Sequence, residues 1–202
     1  TIANTLGMGL SGQPYTGPDI GGFSGNPDAE LFLRWFQMAA FLPFFRTHSA
    51  VGTARREPWV YGEPYTSIIR KFLQLRYRLL PYIYSLAWQT QQSGAPIVRP
   101  LFWNHPQEQV LWGADDAFLL GDNLLVAPIL EAEARQRRIT LPPGEWVDFW
   151  TDQRYPGGSE VEIPVNLETI PLLVRAGAIL PLALDKDLAL HIYPPPVKEK
   201  MA

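Results

Sequence analysis

The sequence predicts an α/β array joined near residue 94 to an all-β domain, and three observations carry that prediction. Before residue 94, extended apolar segments alternate with helical periodicity. After it, apolar runs of strand length are separated by clusters of Pro, Gly and Asp. The chain has 202 residues, 47% apolar and 12% aromatic, which suffices to bury the core of one large domain or two small ones.

Taken in order, Thr1 opens directly into an apolar, glycine-punctuated stretch that ends at Ser11, with no initiator Met and no signal-peptide pattern, and so reads as a chain beginning inside a fold. Gln13 to Phe23 reads as a short strand running into a loop, because Gly21-Gly22 admits backbone angles closed to other residues. A helix follows. Asn26 suits its N-cap, Pro27 its first position, and Asp28 and Glu30 place negative charge at the positive end of the dipole. Leu31, Trp35 and Met38 fall near helical spacing and are expected to face the core. Phe41 to His48 is an apolar run readable as a buried strand, and Trp59 to Glu63 as a loop.

Tyr65 to about Gln92 carries the longest helical pattern. Ile68, Ile69, Phe72, Leu75, Leu79, Ile83 and Leu86 form its apolar face, Pro81 is expected to kink or split it, and Gly94 to stop it. Beyond lie eight strand-sized runs, 96–101, 117–120, 123–130, 138–141, 146–149, 161–165, 172–174 and 178–182, at sandwich or barrel spacing.

Several function classes are disfavoured. The net charge is −3 with no basic stripe, which argues against a nucleic-acid or anionic-membrane partner, and no 18-residue apolar run exists to span a membrane. Cysteine is absent, so disulfides and thiolate metal sites are impossible and the redox compartment is not legible. His48, His105 and His191 lie too far apart for a local metal motif. Neither a phosphate-cradling loop, a dinucleotide fingerprint nor a nucleophile-elbow motif occurs.

What remains is a polar group at the ends of the two expected strands: Asp19 after the first, Arg46 and His48 after the second. In a parallel α/β barrel such ends form the active face, which would aim Asp19, Phe23 and His48 at one site. A carboxylate and an imidazole bind sugar hydroxyls and a phenyl ring walls them in. Plainer readings stand beside this one. Asp19 could cap the glycine loop, His48 could be a satisfied half-buried histidine, and Phe23 could be core. Trp103, Trp112, Trp146 and Trp150 read better as core or inter-domain packing than as sugar platforms, and Arg55-Arg56-Glu57 as an ion-pair group ordering a loop.

Tyr15-Thr16-Gly17-Pro18-Asp19-Ile20-Gly21-Gly22-Phe23, Arg34-Trp35-Phe36-Gln37, Pro43-Phe44-Phe45-Arg46-Thr47-His48-Ser49 and Arg56-Glu57-Pro58-Trp59 resemble, in order and spacing, the closing segment of the glycoside hydrolase family 31 barrel. Gly121 to Ile129, Leu141 to Trp150 and Ile170 to Pro181 resemble that family's proximal C-terminal β-sandwich. The resemblance covers almost the whole chain. It implies the C-terminal portion of a (β/α)₈ TIM barrel over 1–94, an antiparallel β-sandwich over 95–184, and over 185–202 a truncated start of a distal β-domain or an unpaired tail.

It implies further that Asp19 and His48 bind hydroxyls of the −1 glucose and that Phe23 walls that subsite. The family's nucleophile and acid/base are aspartates on earlier strands, in a Trp-x-Asp-Met-Asn-type and a Gly-Asp-Asn-type motif, and neither precedes Asp19. Gly121-Asp122-Asn123 matches the second motif superficially, but its neighbours match the sandwich, so Asp122 is not read as catalytic. The expected parent is a retaining α-glucosidase acting on terminal α-linked glucose of oligosaccharides, with no catalytic residue in this chain, no metal and no cofactor. The alternatives are a non-catalytic carbohydrate-binding or assembly module, and an α-xylosidase or transglucosidase of the same family. The expected partners are the α-glucoside substrate and, through an open barrel edge, either the missing N-terminal part or a second copy.

Overall fold

A computed structural model describes residues 1–196. Three helices, α1 (Ile2–Leu10), α2 (Ala29–Ala39) and α3 (Tyr65–Ser93), precede ten strands: β1 (Val98–Arg99), β2 (Phe118–Leu120), β3 (Leu124–Val126), β4 (Gln136–Thr140), β5 (Glu145–Asp148), β6 (Arg154–Pro156), β7 (Glu160–Pro164), β8 (Leu172–Arg175), β9 (Ile179–Leu184) and β10 (Asp187–Ile192). All strand pairs are antiparallel. A six-stranded sheet runs β1-β2-β3-β8-β5-β6, flanked by the pairs β4-β7 and β9-β10.

The inner strands β2, β3 and β8 of this sheet are buried on both faces, which explains their apolar runs, whereas the edge strand β6 is largely exposed. Phe118, Leu120, Leu124, Val126, Leu172 and Val174 join one core cluster with α2 and α3. Leu119, Leu125, Leu173 and Trp146 point the other way, into a second cluster with Ile139 and Ile163 of the β4-β7 pair. The first cluster therefore fuses the helical region to the sheet.

Helix α3 continues through Pro81 as one element, so the expected split does not occur, and Gly94 closes it in the left-handed conformation at φ 74°. Its buried face includes Tyr82, whose hydroxyl donates to the Leu120 carbonyl at 2.7 Å. Gly121 lies against the same turn of α3, where an added Cβ would come within 2.5 Å of Leu86 and 2.7 Å of the Tyr82 hydroxyl. Helix α2 begins two residues later than expected. Asp28 is the N-cap, its carboxylate accepting the Leu31 N–H at 2.8 Å, because the Asn26 side chain is already engaged by the Ala54 N–H. The core face is set by Phe32, Leu33, Phe36 and Ala39, together with Met38, whereas Leu31 is exposed.

The two strands expected at 13–23 and 41–48 are reduced to one parallel bridge, Asp19 with Arg46, and the open strand edge expected to self-associate shrinks with them. The segments do run side by side, with Phe44 N–H donating to Thr16 O at 3.3 Å and Ile20 N–H to Arg46 O at 3.0 Å. Pro18 interrupts the ladder between these bonds because it has no N–H. Gly17 permits the close approach: a Cβ there would lie 2.0 Å from the Phe44 carbonyl oxygen.

Residues 185–192, expected either to open a distal β-domain or to form an unpaired tail, carry strand β10, paired along its full length to β9. The alternation of β10 is weak by itself, and pairing supplies what the sequence pattern lacks. The tail expected from 197 onward lies outside the described residues. Among the tryptophans, Trp112 departs from expectation: it is 58% exposed, its indole turned back to donate to Pro106 O at 2.9 Å.

Candidate functional site

The sequence places Asp19, Phe23 and His48 on two loops, and the folding of those loops decides whether they meet. Gly21, Gly22 and Gly25 all have positive φ, at 82°, 83° and 78°, so the chain turns sharply just beyond Asp19 and presents Phe23 outward, 55% exposed. The segment 46–56 folds back over this turn. Ala50 N–H donates to Phe23 O at 2.8 Å, and Ala54 N–H to the Asn26 side chain at 2.8 Å.

Phe23 and His48 are brought together, their ring centroids 5.6 Å apart at a 36° tilt. Asp19 is brought to Arg46 instead. Its Oδ1 accepts from Arg46 Nε at 2.6 Å, with the Asp19 side chain 16% exposed. Arg46 in turn lies over the Phe44 ring at 4.9 Å. Among the described residues only Oδ1 of Asp19 is engaged, and Oδ2 has no protein hydrogen-bond partner. The exposed phenyl and imidazole faces, a half-engaged carboxylate and a guanidinium make a polar and apolar mixture suited to a polyhydroxylated ring.

Sequence reasoning undervalued Arg46 and Arg56. The sequence puts Arg46 beside His48 without a role of its own, and in the structure it is the residue that fixes the Asp19 carboxylate. Arg56 was read within a local ion-pair group. Arg55 and Glu57 do pair at 2.8 Å, and that bond from Arg55 pulls the Glu57 carboxyl below its usual range. Arg56, however, is 5% exposed and donates to Gly22 O and, at 2.6 Å, to Gly25 O. No sequence signal marks this role, because it depends on burial and on carbonyls 31 and 34 residues away, partners without which burying that charge would be costly.

Asp122 sits elsewhere, in the β2–β3 turn, where Arg99 and Asn104 donate to its carboxylate. Among the described residues no group of three or more His, Asp or Glu side chains is placed to hold a metal ion. A cavity of about 170 Å³ opens between α2 and residues 128–132, but none of Asp19, Phe23 or His48 lines it. Its volume is small for a ligand pocket. The chemistry-bearing side chains outweigh the better-formed hollow as the candidate site.

Residues 1–86 match the glycosyl hydrolases family 31 TIM-barrel domain and residues 94–180 the glycosyl hydrolase family 31 C-terminal domain. Over 93% of its length the chain is 40% identical to alpha-glucosidase 2 of Bacillus thermoamyloliquefaciens, covering 25% of that protein. It is 42% identical over 88% of its length to an alpha-xylosidase of Saccharolobus solfataricus, again covering 25%. A family 31 dextranase of Flavobacterium johnsoniae, complexed with glucose, superimposes with a TM-score of 0.88 at 34% identity, covering 96% of this chain and 26% of that one. The chain thus spans about a quarter of the length of the relatives it matches.

Proposed function

Because the chain belongs to glycosyl hydrolase family 31, we propose that it is the segment of a retaining α-glucosidase that forms one wall of the −1 subsite. Residues 1–94 would close the catalytic barrel, 95–184 would form the adjoining β-sandwich, and 185–202 would open a distal β-domain. The observation that carries the reading is that two neighbouring loops carry both an Asp19 carboxylate held by Arg46 and a tilted contact between the exposed Phe23 and His48 rings. Asp19 Oδ2 and the His48 imidazole bind sugar hydroxyls, and Phe23 covers an apolar face of the ring.

Retaining hydrolysis needs one carboxylate that attacks the anomeric carbon and another that first protonates the glycosidic oxygen and then deprotonates water, roughly 5–5.5 Å apart. Asp19 is bound to Arg46 and would serve as a hydroxyl acceptor, and on the family resemblance both catalytic carboxylates would be supplied by earlier barrel strands. The substrate is an α-glucoside oligosaccharide, and the macromolecular partner is the part that completes the barrel. Identity over this segment does not separate glucosidase from xylosidase relatives, at 40% and 42%. The Tyr-Thr-Gly-Pro-Asp sequence at 15–19, in place of a Trp-x-His-Asp start, supports the glucoside.

The test compares aryl α-glucoside and aryl α-xyloside hydrolysis by the isolated chain and by the longer protein that carries it. The isolated chain is expected to turn over neither, and the longer protein to prefer the glucoside. Turnover by the isolated chain would show that the catalytic carboxylates are within it. Preference for the xyloside would replace α-glucosidase with α-xylosidase.

A further inference from the structure

We infer that Arg56 is a positioning residue for the sugar subsite, holding the Phe23 loop and the His48 segment as one rigid body. The inference rests on the subsite reading above and goes beyond it by assigning a role to a residue that faces no ligand.

The loop from Gly21 to Asn26 contains three glycines at positive φ, and such a stretch has little conformational preference of its own. Its geometry has to be imposed from outside. Four hydrogen bonds do this, and all come from residues 50–56: Ala50 N–H to Phe23 O, Ala54 N–H to the Asn26 side chain, and the two arms of the Arg56 guanidinium to Gly22 O and Gly25 O. Arg56 alone bridges the two carbonyls that flank Phe23. Its planar fork fixes their separation in a way that a single donor cannot.

The guanidinium is buried with no carboxylate at hydrogen-bonding distance among the described residues, so carbonyl oxygens of the glycine loop are its partners. The Phe23–His48 ring contact then follows, since Phe23 is set by the loop and His48 by the segment that ends at Arg56. Loss of the fork should free Phe23 and His48 to move relative to each other while leaving Asp19 tied to Arg46.

The experiment uses the longer protein that carries this segment, with an aryl α-glucoside as the probe. Arg56→Met, Arg56→Lys and Asn26→Ala are compared with Arg99→Met, a control that removes an equally buried guanidinium from the β-domain. Arg56→Met is expected to lower kcat/KM on the order of 10- to 100-fold, the scale of a misplacement near 1 Å. Arg56→Lys should recover part of that loss, because an ammonium reaches only one of the two carbonyls well. Asn26→Ala should lower kcat/KM in the same direction by less, and Arg99→Met should lower Tm with kcat/KM unchanged. If Arg56→Met does not fold, Arg56→Lys and Asn26→Ala decide.

The inference is overturned if the Arg56 and Asn26 variants behave as Arg99→Met does, losing Tm and nothing else. Asp19→Asn and His48→Ala are measured alongside. No loss in those two overturns the subsite reading itself and the inference with it, whereas their collapse beside unaffected Arg56 variants overturns the positioning role alone.

Discussion

Two Asp–Arg pairs, one in the helical region and one in the β-domain, are built the opposite way round. In Asp19–Arg46 the carboxylate is the enclosed partner, 16% exposed, and the arginine is 49% exposed. In Asp122–Arg99 the arginine is enclosed at 4% and the carboxylate is 43% exposed. Arg99 is also spent on Pro96 O and lies 5.7 Å from the Trp103 ring centroid, so it is a strut inside the β-domain and Asp122 merely closes a turn over it. Arg46 reaches outward across an exposed phenyl ring, and Asp19 keeps one oxygen free. An acid beside Gly residues is therefore not a site by sequence. What distinguishes the pairs is which partner the fold encloses and whether any acceptor capacity is left over.

The two regions meet at a seam that makes them parts of one cooperative body. Phe72 of α3 is fully buried and meets Phe41 of the helical region and Trp150 of the β-domain edge-on. Phe72→Ala is expected to cost about 3–5 kcal/mol. Thermal unfolding followed by near-UV and far-UV circular dichroism should show both signals shifting together. A far-UV transition left in place while the near-UV signal moves would mean that the regions are stabilised separately.

A smaller loss is expected at the second tie. Arg34 and Gln37 belong to the motif that resembles the family's barrel, yet they point away from the candidate site. Arg34 donates to Asn166 O at 3.0 Å, and Gln37 to Leu167 O at 2.8 Å. Burial pushes the Arg34 pKa down, with Glu30 opposing that shift. Arg34→Ala should destabilise by about 1.5–3 kcal/mol, the range for hydrogen bonds made by a charged group. In the longer protein it should leave KM for an aryl α-glucoside unchanged. A raised KM with unchanged Tm would place Arg34 on the substrate side and undo the division of labour between the two regions.

These ties explain why some of the molecule was legible in the sequence and some was not. All eight expected β runs contain strands, because residues such as Leu124 to Val126 are apolar enough to be buried on both faces of a sheet. Strand β6 went unread because Arg154 to Pro156 is polar and becomes a strand only by pairing with β5. The barrel strands were over-read for the converse reason: Phe41, Leu42 and Phe45 are apolar, but the ladder beside them is broken at Pro18. Asp19, Phe23 and His48 were legible as candidates from their place after apolar runs. Their actual pairing was not, since it depends on contacts of Asp19 with Arg46 and of Arg56 with Gly22 and Gly25, across 27 to 34 residues.

If Asp122–Arg99 is a strut, its titration should move stability slightly and catalysis not at all. Burial pushes the Asp122 pKa up, but hydrogen bonds from Asn104 and Arg99 and the charges of Arg99 and Arg175 outweigh it, so the folded value lies below the usual range. A depressed folded value means stabilisation that is fully present above the unfolded value, near 3.9, and is lost as pH falls through the folded one. Asp122→Asn should therefore be less stable than the parent sequence at neutral pH, by no more than about 1 kcal/mol given its exposure to solvent. The two stability curves should converge in acid. In the longer protein the pH dependence of kcat/KM should stay the same. A displaced acid limb of that profile would make Asp122 a titrating group of the site, and would leave the contrast with Asp19 without its physical basis.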